Sequence, residues 1–367
     1  MTHTSFTLEE LYNNYEGKYK HNLSSACMPS MALKDLLNFY SKEDGEEFKR
    51  KIFQTELDYS SQFGLESVRE ALVNNLYPSR QADNFLLTTG ASEAIFLVMS
   101  SLFEEGDSII VQKPIYQSLY QVAEDRGVEI IDWDLDLESM SWDLDQLKNL
   151  LTKNPAAKAL VINNPNNPVG TVFSEAVLRT ISELLDGKFL ISDEVFLPIS
   201  LKPSKSVSEI YEYGISISDL SKSFNMPGLR LGWIATSVIA SEARQSILQK
   251  LSSHKNYLSL RNNTLSEIIT PYLLNKAKEL TDKNKELIQN NIDQLYSMKP
   301  DELFFELNQK RESLSNLCFF PKLKQELNLG ELIHEQGTFL ALGENFADKY
   351  KGFCRIGLGN ISPTVLR

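Results

Sequence analysis

Short, unbroken apolar runs alternate along this chain with longer stretches whose apolar residues recur every three or four positions. Runs bounded by Gly, Pro, Asn or Asp suit strands buried on both faces, and the wider spacing suits helices laid over them. FLLTT at 85–89 reads as a strand that passes through the small-residue turn Gly90-Ala91-Ser92 into the apolar helix EAIFLVMSSL. SIIVQKPIYQSLY (108–120), KALVINNPNNPVGTVFS (158–174) and GKFLISDEVFLPIS (187–200) each carry a further strand, the last ending at Ser192-Asp193-Glu194. Residues 217–235, ISDLSKSFNMPGLRLGWIA, hold two short apolar runs around a loop of Ser, Asn, Pro and Gly, which is turn chemistry. Helices are predicted from 241 to about 251 and over 260–291, where polar faces carry i,i+4 charge pairs. Residues 306–346 alternate short strands and helices. At the start, SFTLEELYNNYEGKY opens as a helix with Thr7 as N-cap and Glu10 at N3, a capping box that occupies Glu10 and leaves Glu9 free. The next segment, NLSSACMPSMALKDLL, reads as extended and then helical.

A chain of 367 residues exceeds one small core, so a large domain and a smaller one are expected. The net charge of −12 argues against a nucleic-acid surface, which wants clustered Lys and Arg, and is compatible with steering a cationic substrate. No apolar run reaches membrane-spanning length and no signal-peptide pattern opens the chain, so a cytoplasmic protein without membrane contact is expected. Three widely spaced cysteines, Cys27, Cys318 and Cys354, read as free buried thiols, and neither they nor the four histidines have metal-ligand spacing.

The candidate chemistry lies at the strand ends. Lys222 stands in the loop of 217–235, where partial desolvation would lower its pKa and free the amine for Schiff-base formation with a carbonyl. By residue type alone, a solvated loop lysine is the favoured reading. The turn at Gly90, Ala91 and Ser92 opens a helix whose backbone N–H groups suit an anion. Asp193 ends a strand, where open α/β sheets place their ligands. Two prolines and a glycine make Asn164-Pro165-Asn166-Asn167-Pro168-Val169-Gly170 a rigid loop that presents Asn167. Tyr59, Tyr116 and Arg355 each have a plain alternative, as core tyrosines and as an edge-strand arginine.

Taken together, Ser221-Lys222-x-x-Asn225-Met226-x-Gly228-x-Arg230-Leu231-Gly232, the 164–170 loop and the ordered series around them resemble the class I/II aminotransferases, pyridoxal 5′-phosphate (PLP) enzymes of fold type I. The resemblance covers nearly the whole chain. It implies an aspartate aminotransferase-like α/β fold: a large, mostly parallel sheet domain over 45–260, and a smaller α+β domain formed by 1–44 and 261–367. It implies that Lys222 carries PLP covalently and that Arg230 and the Gly90-Ala91-Ser92 cup hold the phosphate. Tyr116 would stack on the ring, Asn167 would bond its phenolic oxygen, and Asp193 would keep its nitrogen protonated. Arg355 would grip the substrate carboxylate in a bidentate fork. Tyr59, in the pattern Tyr-x4-Gly-x4-Arg, would reach the cofactor of the other subunit in a homodimer. The closing helix usual in the family finds little room in the twelve residues after Arg355, so the sequence is either truncated or naturally short there.

Three departures from the family stand out. Ser24, Ser25 and Ala26 replace the usual glycine of the crossing strand, Phe196 replaces a tyrosine that would share the phenolic oxygen with Asn167, and Asp219 replaces the small residue three positions before the lysine. Losing the tyrosine is expected to raise the pKa of the lysine–cofactor imine. A carboxylate beside a phosphate is repelled, so Asp219 is expected to turn to a cation such as Arg230, or else the cup does most of the binding. The departures most resemble the capreomycidine synthase-type enzymes, which act on arginine or hydroxyarginine and include cyclases forming capreomycidine- or enduracididine-like amino acids. That implies a guanidino substrate, with Glu9 and Ser25 as candidates to hold it. A plain aminotransferase remains open.

Overall fold

The computed structural model describes residues 4–237 and 241–359. Its centre is a seven-stranded sheet of β1 (Phe85–Thr88), β2 (Ser108–Lys113), β3 (Glu129–Asp134), β4 (Ala159–Asn163), β5 (Phe189–Asp193), β6 (Gly214–Asp219) and β7 (Gly232–Thr236). The spatial order is β1-β7-β6-β5-β4-β2-β3. The pairs from β6 through β3 are parallel, and β7 runs antiparallel to both of its neighbours. The strands are short, and β1, β4, β6 and β7 are wholly buried, as expected where helices cover both faces, while the edge strand β3 buries only Trp133. Helix Gly90–Leu102 buries Ala94, Ile95, Leu97, Val98 and Met99, and each large apolar side chain there contributes about 1.5–3 kcal/mol.

Register decides what meets at the sheet's end. Asn163 lies opposite Asp193, Asp193 opposite Ile217, and Gly232 opposite both Asp219 and Thr88. The ends of β1, β4, β5 and β6 therefore open onto one place. Gly232 must be glycine, since a Cβ there would stand 2.6 Å from the carbonyl carbon of Gly90.

A second, three-stranded sheet joins Ala341–Leu342, Cys354–Gly357 and Cys318–Phe319, all antiparallel. The N-terminal segment is stitched onto it. Ser24 Oγ donates to the Arg355 carbonyl at 2.6 Å and accepts from Ala341 N–H at 2.6 Å, and Gly357 N–H donates to the Leu23 carbonyl at 2.6 Å. Among the described residues no helix is long and apolar enough to cross a membrane.

Four local expectations are corrected. The first helix, Thr7–Tyr15, has Phe6 as N-cap without a side-chain bond, so Thr7 and Glu10 form no capping box. A tertiary contact replaces it: Gln117 Oε1 accepts from Thr7 N–H at 3.0 Å. The strand expected over 108–120 stops at Lys113, where a cis peptide leads into Pro114, and 118–124 are helical. The helix expected to about 251 runs on as Ser241–Lys255. The long helix over 260–291 is two, Thr264–Leu274 and Ala277–Ser297, because Lys276 leaves helical geometry at φ −111°, ψ 13°. Most of the segment where a closing helix was in question, 360–367, lies outside the described residues.

A Cβ on Gly357 would stand 2.0 Å from the Ser25 carbonyl oxygen. Gly357→Ala should therefore lift the N-terminal segment and cost about 1–3 kcal/mol or more of stability, read as a lowered urea midpoint.

Candidate active site

A cavity of about 300 Å³ opens where the strand ends meet the N-terminal segment, and its lining includes Lys222, Asp193, Asn167, Tyr116, Arg230 and Arg355. Lys222 follows β6, and its Nζ donates to Cys27 Sγ at 3.0 Å. The expected lowering of its pKa is not found. Burial pulls the amine down, but Cys27 and then Asp219 outweigh it, and the net shift is upward. The thiol answers in kind. Burial raises it, the Lys222 charge and hydrogen bond lower it further, and it ends below its ordinary value. Cys27, expected as a buried free thiol, is free but only partly buried, because it lies on the segment that lines the cavity.

Asp193 is buried at the end of β5, with Val195 N–H donating to its Oδ1 at 3.1 Å. Burial and the nearby charge of Asp219 push it up to about 7, against the pull of Val195 N–H and Lys222. A carboxyl held this way suits a cationic partner. Asn167 is fixed by its neighbours: Asn163 Oδ1 accepts from its N–H at 2.7 Å, and the Asn164–Pro165 and Asn167–Pro168 peptides are both cis. Its side-chain oxygen accepts from Arg355 Nη1 at 3.0 Å.

Arg355 is buried and makes two more bonds, from Nε to the Ser24 carbonyl at 3.0 Å and from Nη2 to the Tyr12 hydroxyl at 2.7 Å. Tyr12 was missed in the sequence. The signal was available, since Tyr12 follows Glu9 by three residues and the two share a helix face. Glu9 also reaches the cavity, where its Oε1 accepts from the Tyr116 hydroxyl at 2.8 Å. Tyr116 packs against Phe6 with ring centroids 5.0 Å apart, and Ser25 and the buried Phe196 complete this side.

At the other end Gly90 (φ +76°), Ala91 and Ser92 form the first turn of the helix Gly90–Leu102. Arg230, itself left-handed at φ +48°, brings Nη2 to 2.6 Å from where a Cβ on Gly90 would stand, so the cup depends on that glycine. Asp219 does not turn to Arg230. Its Oδ2 accepts from Ala91 N–H at 3.2 Å and its Oδ1 accepts from Ser221 N–H at 2.9 Å and Ser221 Oγ at 2.5 Å. Among the described residues no ion pair is formed by Asp219. Tyr59 is 76% exposed and outside the cavity, so one chain by itself does not bring it to the site.

The family model for aminotransferases of class I and II matches residues 20–310. A probable aspartate aminotransferase of Methanocaldococcus jannaschii is 27% identical over 274 residues, 71% of this chain and 72% of that protein. Two further relatives are matched over 54% and 40% of their own length. Among solved structures, a PLP-dependent aminotransferase from Streptococcus suis superposes with a TM-score of 0.88 at 26% identity, covering 100% of this chain and 95% of that one. The PLP-dependent cyclase OrfR gives 0.84 at 23% identity, covering 99% and 94%, a likeness of fold alone. The cavity's donor set fits PLP: a cup of backbone N–H groups flanked by Arg230 for the phosphate, a buried carboxyl for the ring nitrogen and a lysine for the aldehyde. Asp219, bonded to that cup, is the one group that does not fit.

Two measurements follow from this geometry. Iodoacetamide should alkylate Cys27 near neutral pH and leave Cys354 and Cys318 intact, both buried and the latter pushed up to about 12; Lys222→Ala should move the Cys27 alkylation profile to higher pH. Asp193, raised from the ordinary carboxylate range to about 7, contributes stability that is present below pH 4 and lost as pH rises through 7. Asp193→Asn should therefore raise the melting temperature of cofactor-free protein at pH 8 more than at pH 5; equal shifts would contradict it.

Proposed function

The chain belongs to the class I and II aminotransferase family and is a PLP-dependent enzyme, and from that premise we propose that it is a cyclase that acts at the α-carbon of hydroxy-L-arginine and closes a cyclic guanidino amino acid. One observation carries the choice of substrate. The cavity that contains Lys222 and Arg355 also has the Glu9 carboxylate in its lining, a group suited to a guanidinium. OrfR, of similar fold, is named as a cyclase.

PLP, when bound, supplies an electron sink for the α-carbon. The chain's residues do the rest. Arg355 grips the α-carboxylate, exchanging bonds it now makes to Tyr12 and Asn167 for two to the substrate. Glu9, with Ser25 beside it, holds the guanidino group. Lys222 Nζ removes the α-proton and later returns a proton. Asp193 holds the cofactor's ring nitrogen protonated, a charge-assisted bond of about 1.5–3 kcal/mol. The side-chain hydroxyl leaves as water, a guanidino nitrogen attacks the unsaturated carbon so formed, and the ring closes with net loss of one water and no oxidant. The reading includes a homodimer in which Tyr59 reaches the partner's cofactor phosphate, and a division into 45–260 and 1–44 with 261–367.

An aminotransferase passing the amino group to a 2-oxoacid is the second reading, favoured by the Streptococcus suis structure, which matches the whole chain.

Mass spectrometry of the purified enzyme with arginine, hydroxyarginines and common amino acids separates the two. A product lighter than hydroxyarginine by one water, without an oxoacid, is expected; deamination that requires a 2-oxoacid acceptor would leave the aminotransferase. Lys222→Ala should abolish turnover. Glu9→Ala should raise KM for guanidino substrates by about 10-fold or more and leave alanine-like ones nearly unchanged; equal losses remove Glu9 from the site.

A further inference from the structure

The phosphate cup contains an anion of its own. Asp219 ends β6, is buried, and places Oδ2 3.2 Å from the N–H of Ala91 in the first turn of the helix Gly90–Leu102. Its other oxygen is taken by Ser221 N–H and Oγ, so the carboxylate is oriented from two sides. Ala91, Ser92, Asp219, Ser221 and Arg230 line the same end of one cavity. Arg230 faces Gly90 there, and its Nη1 donates to the Pro227 carbonyl at 3.3 Å instead of pairing with Asp219. The carboxylate thus takes up a donor on which a phosphoester at this cup depends, and among the described residues no cation in ion-pair contact offsets it.

We propose that Asp219 is a positioning residue that sets how tightly this enzyme holds its cofactor, by opposing the phosphate at the cup and so making the cofactor exchangeable. The inference rests on the cup being the phosphate site. Two negative groups competing for one backbone donor repel each other in a buried setting where Coulomb terms exceed their value in water. The phosphate then gains less from Ala91 N–H and the helix terminus than an unopposed anion would. Asp219 also acts by charge on Lys222 and Asp193, which meet the aldehyde end of either aldehyde alike, so its effect on the phosphate is the difference between a phosphorylated aldehyde and its unphosphorylated counterpart.

The test compares two aldehydes that differ only in the phosphate. Dissociation constants for PLP and for pyridoxal are measured by absorbance on the full chain freed of cofactor, for wild type, Asp219→Asn and Asp219→Ser. Asn keeps an acceptor for Ala91 N–H and removes the charge; Ser removes the charge and draws the side-chain oxygen back from Ala91 N–H. In both variants PLP binding should tighten, and by at least about tenfold more than pyridoxal binding changes, about 1.4 kcal/mol. Unchanged or weaker PLP binding in both variants overturns the proposal. Equal changes for the two aldehydes also overturn it, since they would place Asp219's effect on Lys222. If borohydride fixes neither aldehyde to Lys222 of the wild type, the cofactor site is misassigned and this inference falls with it.

Discussion

Arg355 holds the site together. Its guanidinium is buried and bonds the Ser24 carbonyl, the Asn167 side chain and the Tyr12 hydroxyl, so one side chain ties the crossing segment, the loop after β4 and the first helix to the small sheet. A planar group with five N–H donors is the side chain that can span three elements at fixed angles. A buried cation is costly unless it is hydrogen-bonded, and these three partners supply that. The same geometry leaves the arginine ready for a carboxylate, since two of its three bonds are to side chains that can be exchanged.

Opposite it, Lys222, Cys27, Asp193 and Asp219 form a balance of charges, none of which has the environment its residue type suggests. Lys222 is pushed up although it is buried, because Cys27 stands 3.0 Å away and Asp219 adds to it. Asp193 is pushed up to about 7 by burial and by Asp219. Asp219 takes up Ala91 N–H, and Phe196 brings no hydroxyl to the cavity, so the donors that line it include Arg230, Asn167 and the helix terminus.

Much of this was legible in the chain. Solid apolar runs located β1, β4, β5, β6 and β7, and turn residues marked where each stopped. Motif residues gave Lys222, Asp193, Asn167, Arg230, Arg355 and the Gly90-Ala91-Ser92 turn, all but Gly90 lining one cavity. Helix ends were read less well. Thr7 and Glu10 have the pattern of a capping box, yet Gln117, 110 residues away, supplies the bond. Local propensity for a cap is worth about 1 kcal/mol, and a tertiary contact of similar strength displaces it.

What the sequence alone determined is chemistry that depends on residue identity at fixed spacing: strand, turn, lysine, arginine eight positions on, and hence the family and its cofactor. What only the tertiary structure decided is which groups share a space. Cys27 and Lys222 are 195 residues apart, Tyr12 and Arg355 are 343 apart, and Asp219 and Ala91 are 128 apart. No local pattern encodes such pairs, because they arise from strand register and from the path of the N-terminal segment over the small sheet. Those same pairs bear on the charge state of the lysine and on which donors stay free at the helix terminus.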